Sequence, residues 1–448
     1  MIPTAAWVRE ALGLPPRDEA ESAPFASIST DTRTLAPGSL FVALQGERYD
    51  AHDHLAAAAL AGARAAVVRR GTPPVAGLEL LEVDDTLAAY GLLARHRRRQ
   101  IRGPVVAVTG SNGKTSTKEM VAAVLRTGFN VHATRYNLNN LVGIPQTILA
   151  APDDTEALVI EAGANQVGEL ARARAIIEPT IGIIINVVEC HLEGFGSLAG
   201  VMQEKLSLID RVPLAVVGTE PPELAGRARE RAGRVLTAGL RGADVEPASL
   251  TLDGDARPGF TIDGTTVRLP LRGAHQAGNA MFAWALVREL MLDRAAAGRA
   301  LEGLTIPGGR GELIQTGRLT VLHDAYNANP QSFRTAMATA QAMRSGRRLV
   351  FVAGTMRELG EDSGRLHEAV ARELVALEPE LLAGVGEFAG ALAPYRDRLG
   401  ERLLLAPDPA SLGPALASRL RGDELVVLKA SRGVALETIL PALTARAG

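Results

Sequence analysis

The chain has a single cysteine, Cys190, in 448 residues, so an internal disulfide is impossible and no Cys/His spacing of a zinc site can be drawn. No apolar run approaches the roughly 20 residues that a membrane span needs. The stretch from Met1 to Glu19 lacks the basic and then apolar order of a secretory signal. A formal net charge of −2 leaves no basic excess of the kind a nucleic-acid carrier uses. Lysine is nearly missing too. Of 48 basic residues, only Lys114, Lys118, Lys205 and Lys429 are not arginine. Codon bias accounts for the arginines, yet a lysine kept in such a chain points to a place that needs a primary amine, as compact charge or nucleophile. A soluble, cytoplasmic protein with no nucleic-acid partner and no membrane span is the expectation.

What is present fits a globular protein too long for one core, so two to four domains are expected. Over residues 22–100, Ser39 to Leu44 and Ala65 to Val68 read as strands around an Ala-rich helix from Leu55 to Ala63. The run Arg95-His-Arg-Arg-Arg99 has no interleaved aromatic residues and reads as a solvated helix end and linker rather than a phosphate patch. Pro104 opens a second unit, in which Val105 to Thr109 is a buried strand followed by a Gly loop and a helix to about Arg126. Apolar strands at Ala157–Ile160, Ile181–Ile185 and Leu214–Val217 alternate with helical stretches, the order of a mostly parallel sheet. An Asp263-Gly264 turn predicts a hairpin within 248–271. After Pro307-Gly-Gly-Arg-Gly311 a third unit begins with the strand Leu319 to Asp324 and continues through Leu349–Ala353 and Leu425–Leu428. The expected fold is α/β in three domains. These are a small N-terminal α/β domain (1–102), a central P-loop ATPase domain with a mostly parallel sheet (103–309) and a Rossmann-like C-terminal α/β domain (310–448).

The strongest chemical signal lies between the strand ending at Thr109 and the helix starting near Lys114. Gly110 and Gly113 lack Cβ atoms, so the turn can aim backbone N–H groups at an anion. The helix N-terminus adds partial positive charge, Lys114 can reach the β- and γ-phosphates, and the Thr115 hydroxyl can bind Mg²⁺. The first Gly of the usual phosphate-loop pattern falls on Val108, so this loop is a shortened variant.

Gly110-Ser111-Asn112-Gly113-Lys114-Thr115 resembles the loop of the Mur ligases, which build the peptide of bacterial cell-wall precursors. Folylpolyglutamate synthases share that loop and the three-domain plan. Four further segments resemble the Mur branch that adds D-alanyl-D-alanine: Thr134 to Pro145, Glu161-Ala-Gly-Ala-Asn165, Asn186 to Gly200 around His191, and Tyr326-Asn-Ala-Asn-Pro330. The likeness covers most of residues 27–440.

The resemblance implies ATP-dependent ligation of D-Ala-D-Ala to the terminal carboxylate of UDP-N-acetylmuramoyl-tripeptide through an acyl phosphate. It also implies two Mg²⁺ ions and a monomer. Lys114, Glu161, His191, Lys205 and Arg310 are the implied catalytic residues. Gly110 to Ser116 would hold the ATP phosphates, with Arg310 at the γ-phosphate, Asn279 at adenine and Asp324 at ribose. The implied metal ligands are Thr115, Glu161, His191 and Lys205, the last as a carbamate, which arginine could not form. Ser29, Thr30, Asp31, Arg33, Asn137 and Asn140 are expected on the UDP substrate. Asn327, Asn329, Lys429, Ser431 and Arg432 are expected on the dipeptide. Gln276, Thr355 and Ala430 depart from the family's usual Asn, Asp and Gly. Read without the family, His191 is foremost a hydrogen-bonded structural residue and the 27–33 segment an ordinary polar loop, while a helix-capping surface acid for Glu161 and a solvated hinge residue for Arg310 are the lesser alternatives. Lys118 reads as structural or solvent-facing. Glycines at 308, 309 and 311 mark a hinge for domain closure. Another amide ligase of the superfamily, adding the third peptide residue or extending folates, is the near alternative. A P-loop ATPase that moves a protein partner is the distant one.

Overall fold

The computed structural model describes residues 3–16, 23–46, 49–305 and 311–444. The chain forms two compact units, one of residues 1–107, 129–163 and 169–180, the other of residues 108–128, 164–168 and 181–448.

The first unit carries a four-stranded parallel sheet in the order β1 (Ile28–Ser29), β2 (Leu40–Val42), β3 (Ala65–Arg69), β4 (Glu79–Val83). Side chains alternate across a strand, so Leu40 and Val42 enter one apolar cluster with Trp7, Val8 and Phe25, while Phe41 and Ala43 enter another with Leu55 and Ala58. Both faces are therefore covered, and the run from Leu40 to Val42 is apolar throughout. Trp7 and Val8 come from a helix at Ala5–Leu12 that the sequence reading missed.

A second sheet has the order β10-β9-β8-β5-β7-β6, with β5 at Val105–Thr109, β6 at Val131–Ala133, β7 at Ala157–Glu161, β8 at Ile181–Ile184, β9 at Leu214–Val217 and β10 at Arg234–Thr237. The β9–β10, β8–β9 and β6–β7 pairs are parallel. Every residue of β5, β7, β8 and β9 is buried. Each such Val, Leu or Ile contributes about 1.5–3 kcal/mol of transfer free energy.

A small antiparallel sheet follows, β11 (Ser249–Leu252), β12 (Pro258–Ile262) and β13 (Thr265–Arg268). The expected hairpin is its β12–β13 half, and the turn residues Asp263 (φ 49°) and Gly264 (φ 77°) take the left-handed backbone that such a turn requires. The last sheet has the order β14-β15-β19-β16-β17-β18 over β14 (Glu312–Thr316), β15 (Leu319–Asp324), β16 (Leu349–Ala353), β17 (Leu381–Val385), β18 (Leu403–Ala406) and β19 (Leu425–Lys429). Only the β14–β15 pair is antiparallel in it. The third unit was expected to open at Leu319. Instead β14 precedes it, a half-exposed edge strand whose weak apolar pattern hides it in the sequence.

The mixed α/β fold with parallel sheets is as expected. The arginine run is not. Arg97 is buried and donates to the carbonyls of Ala151 and Pro152, and Arg98 donates to the carbonyls of Ile177 and Glu178. Arg95 and Arg99 close on the Glu178 carboxylate at 2.6 and 2.7 Å. The run is a clamp, not a solvated end, because its acceptors lie 54 to 83 residues downstream. Lys118 is also not solvent-facing: it is 1% exposed and pairs with Glu119.

Candidate functional site

In the second unit the phosphate loop runs from Gly110 to the helix at Lys114–Leu125. Gly113 is the N-cap residue of that helix, with φ 81° and no side-chain cap, so the first-turn N–H groups have no side-chain acceptor. A Cβ at Gly113 would stand 2.8 Å from the Asn279 Oδ1. Glycine is required there twice, by backbone angle and by space.

The loop is stitched to the segment after β8. Ser111 and Asn112 donate their backbone N–H groups to the carbonyl and Oδ1 of Asn186 at 3.0 and 2.9 Å. The Ser111 hydroxyl donates to the Val188 carbonyl and accepts from the Val188 N–H and the Cys190 thiol. Lys114 Nζ lies over the loop, donating to the Gly110 carbonyl at 2.8 Å and more weakly to that of Ser111. Thr115 and Ser116 are buried in the first helical turn.

Lys205, on the helix Leu198–Ser207, is 2% exposed. Burial pushes its amine down to about 8, with Lys114 pushing the same way and Cys190 and Glu204 opposing. Neighbouring His191 has left-handed backbone (φ 50°), and its Nδ1 pairs with Glu358, itself left-handed at φ 64°. That pairing lowers the Glu358 pKa.

Asn279 lies in the helix Ala274–Glu289, buried, donating to Gln276 Oε1 at 3.1 Å. Asp324 ends β15 and meets Lys429 Nζ at 3.0 Å; Lys429 is 2% exposed and also donates to the Asn327 carbonyl at 2.5 Å. Ser431 Oγ accepts the Arg357 N–H, and the Arg432 guanidinium lies 5.3 Å from the Tyr326 ring centre. Asn329 was expected to face the dipeptide. It caps the helix Pro330–Met343 and pairs with Asn112. The departures from family pattern have local partners: Thr355 Oγ1 accepts the Glu387 N–H, and the Ala430 methyl fits because residue 354 is glycine, where a Cβ would come within 2.8 Å of it.

In the first unit, Glu161 ends β7 and is 2% exposed. Asn139 donates to its Oε1 at 2.8 Å, whereas Oε2 is buried with no partner. A buried carboxylate oxygen left over in this way suits a hard cation. Asn140 Oδ1 accepts the N–H groups of Val142 and Gly143, and Asn137 is exposed. Asp31 and Arg33 form a two-point ion pair, Ser29 Oγ closes a turn onto Asp31, and Thr30 lies between them. The Asp31 carboxyl is held down to about 2 by Arg33. Arg310 and the glycines at 308 and 309 lie outside the described residues. Among the described residues no three His, Cys, Asp or Glu side chains gather as a metal cluster, and no helix is long and apolar enough to cross a membrane.

The sequence reading missed Asn139, Asn186 and Glu358. Asn139 and Asn186 stood inside quoted motifs, and only their partners distinguish them.

The chain matches the family described as "Mur ligase middle domain" over residues 108–287 and that described as "Mur ligase, glutamate ligase domain" over 309–432. It is 35% identical to a Synechocystis protein named UDP-N-acetylmuramoyl-tripeptide–D-alanyl-D-alanine ligase, across 94% of this chain and 92% of that one. Its fold matches a crystal structure of MurF from Acinetobacter baumannii with a TM-score of 0.89 and 30% identity, covering 99% of both chains. A MurF ligase from Thermotoga maritima in complex with ADP matches at a TM-score of 0.83 and 27% identity, over 94% of this chain and 97% of that one.

Proposed function

Because this chain belongs to the Mur ligase family, we propose that it joins D-alanyl-D-alanine to the terminal carboxylate of UDP-N-acetylmuramoyl-tripeptide at the expense of ATP, in peptidoglycan precursor synthesis. The observation that carries this reading is the uncapped helix start at Gly113 with Lys114 Nζ over the loop, a cradle for phosphate charge, in a chain matched nearly end to end by ligases of that name.

A carboxylate is a poor acyl donor. Its activation moves the γ-phosphoryl group of ATP onto a carboxyl oxygen, which brings two anions together, so cations must already be in place. Lys114 and the loop N–H groups neutralise the phosphates, and Arg310 joins them at the γ-phosphate. Asn279 takes adenine and Asp324 ribose. The amine of D-Ala-D-Ala then attacks the acyl phosphate and phosphate leaves. Asn327, Lys429, Ser431 and Arg432 hold the dipeptide end. Ser29, Thr30, Asp31, Arg33, Asn137 and Asn140 hold the UDP substrate.

The buried Glu161 Oε2 fits Mg²⁺, and Thr115, His191 and a carbamylated Lys205 complete the set of residues that would hold two ions. When bound, Mg²⁺ supplies charge neutralisation at the phosphates. Burial favours the neutral Lys205 amine, the form that adds CO₂. Three domains, at 1–102, 103–309 and 310–448, divide the ligands. A cytoplasmic monomer fits soluble nucleotide substrates.

Purified protein supplied with ATP and UDP-N-acetylmuramoyl-tripeptide should form product and phosphate with D-Ala-D-Ala, and not with L-Glu or diaminopimelate. Preference for either of those amines would move it to another branch. Lys114→Ala should lower the rate by about a thousandfold; an unchanged rate would remove the loop from the chemistry.

A further inference from the structure

Asn112 and Asn329 stand 217 positions apart in sequence, yet their side-chain amides bond to each other reciprocally. Asn112 Nδ2 donates to Asn329 Oδ1 at 3.1 Å, and Asn329 Nδ2 donates back to Asn112 Oδ1 at 2.8 Å. Both belong to the second compact unit. Asn112 is the loop residue beside Gly113. Asn329 is 1% exposed and begins the helix Pro330–Met343.

The cap and the pair make different demands on residue 329. As a cap, its Oδ1 accepts the Ser332 N–H at 2.9 Å while its own N–H donates to Ser332 Oγ. Ser, Thr and Asp cap helices about as well as Asn. None of them carries the amide donor that returns a bond to Asn112. Capping therefore does not explain asparagine here, whereas the pairing does.

The pair also has reach on both sides. On the loop side, the Asn112 N–H is held by Asn186, so the backbone and side chain of one residue set the curvature of the turn that faces the phosphates. On the other side, the chain two residues before Asn329 offers its carbonyl, that of Asn327, to Lys429 Nζ at 2.5 Å. A short path of hydrogen bonds thus runs from the phosphate loop to the lysine at the end of β19.

We propose that Asn112 and Asn329 are a positioning pair that latches the phosphate loop to the start of the Pro330 helix, so that nucleotide grip and acyl transfer at the dipeptide end are set together. Its catalytic consequence rests on the ligase reading above, but the latch itself is a statement about nucleotide binding and stands apart from the acceptor. Neither residue touches reacting atoms in this role. With the latch broken, the loop still binds ATP, less tightly, and phosphoryl transfer is no longer tied to a docked amine.

The test is a double-mutant cycle on the full chain with Asn112→Ala, Asn329→Ser and the double variant, read by calorimetric affinity for ADP and ATP. Asn329→Asp serves as a second cap-preserving variant. Each single change is expected to weaken nucleotide binding about tenfold, from the loss of two partly buried hydrogen bonds. The double change should cost no more than one of them. Asn329→Ser and Asn329→Asp should keep the melting temperature close to that of the parent, because both retain the cap. Effects that multiply across the cycle, or unchanged affinity in the single variants, overturn the latch. In the ligase assay the single variants should hydrolyse more than one ATP per peptide bond formed, against one for the parent, with kcat reduced more than the KM for D-Ala-D-Ala is raised. Tight one-to-one coupling in the variants also counts against it. If the parent chain forms no peptide product, the ligase reading fails while the affinity cycle still decides the latch.

Discussion

Asn139 donates its amide to Glu161 Oε1 at 2.8 Å and leaves Oε2 of the same carboxylate buried and without a partner. The carboxylate is thereby aimed through one oxygen, and in its proposed role as a Mg²⁺ ligand the other oxygen would meet the cation. A group that orients a metal ligand typically contributes tenfold to a hundredfold in metal affinity. Asn139→Ala is therefore expected to raise the Mg²⁺ concentration for half-maximal ligation by about that factor, with most of kcat recovered at saturating Mg²⁺. An unchanged Mg²⁺ titration would take Glu161 out of cation binding.

Lys205 is expected to work as a carbamate. Lys205→Arg should lose activity by about a hundredfold or more, because a guanidinium stays charged and cannot add CO₂. Degassed parent enzyme should weaken and recover with bicarbonate, and a ¹³C-bicarbonate NMR carbamate signal should appear in the parent alone. Full activity of Lys205→Arg ends the idea.

Glu178 sets an acid limit on stability. Arg99 and Arg95 hold its carboxyl down to about 2, against 4.5 for the free group. A depressed carboxylate stabilises the fold above its unfolded pKa, and that contribution fades as pH falls from about 4.5 through 2. Glu178→Gln should lower the melting temperature by a constant amount between pH 6 and 8, and by a shrinking amount below pH 4.5. A gap that widens in acid would contradict the clamp.

What could be read without coordinates was whatever depends on neighbours along the chain. The run Val105 to Thr109 before Gly110 and Gly113 announces strand, turn and helix, because backbone geometry and side-chain alternation are local properties. The Asp263-Gly264 turn was legible for the same reason. Distant pairings were not. Glu358 answers His191 from 167 positions away, and the Cys190 thiol reaches Ser111 across 79. Arg97 and Arg98 looked solvated because nothing beside them in sequence reveals the carbonyls at 151, 152, 177 and 178 that receive them. Asn329 is the sharpest case: its motif suggested a ligand contact, and its amide is committed to another side chain.

Three of the four lysines, at positions 118, 205 and 429, are 1–2% exposed, which leaves the folded protein almost silent toward reagents that acylate amines. Apart from the α-amino group, such a reagent finds Lys114 at the mouth of the phosphate loop. Labelling stoichiometry thus becomes a gauge of nucleotide occupancy, and a second reactive lysine would signal that the interior has opened.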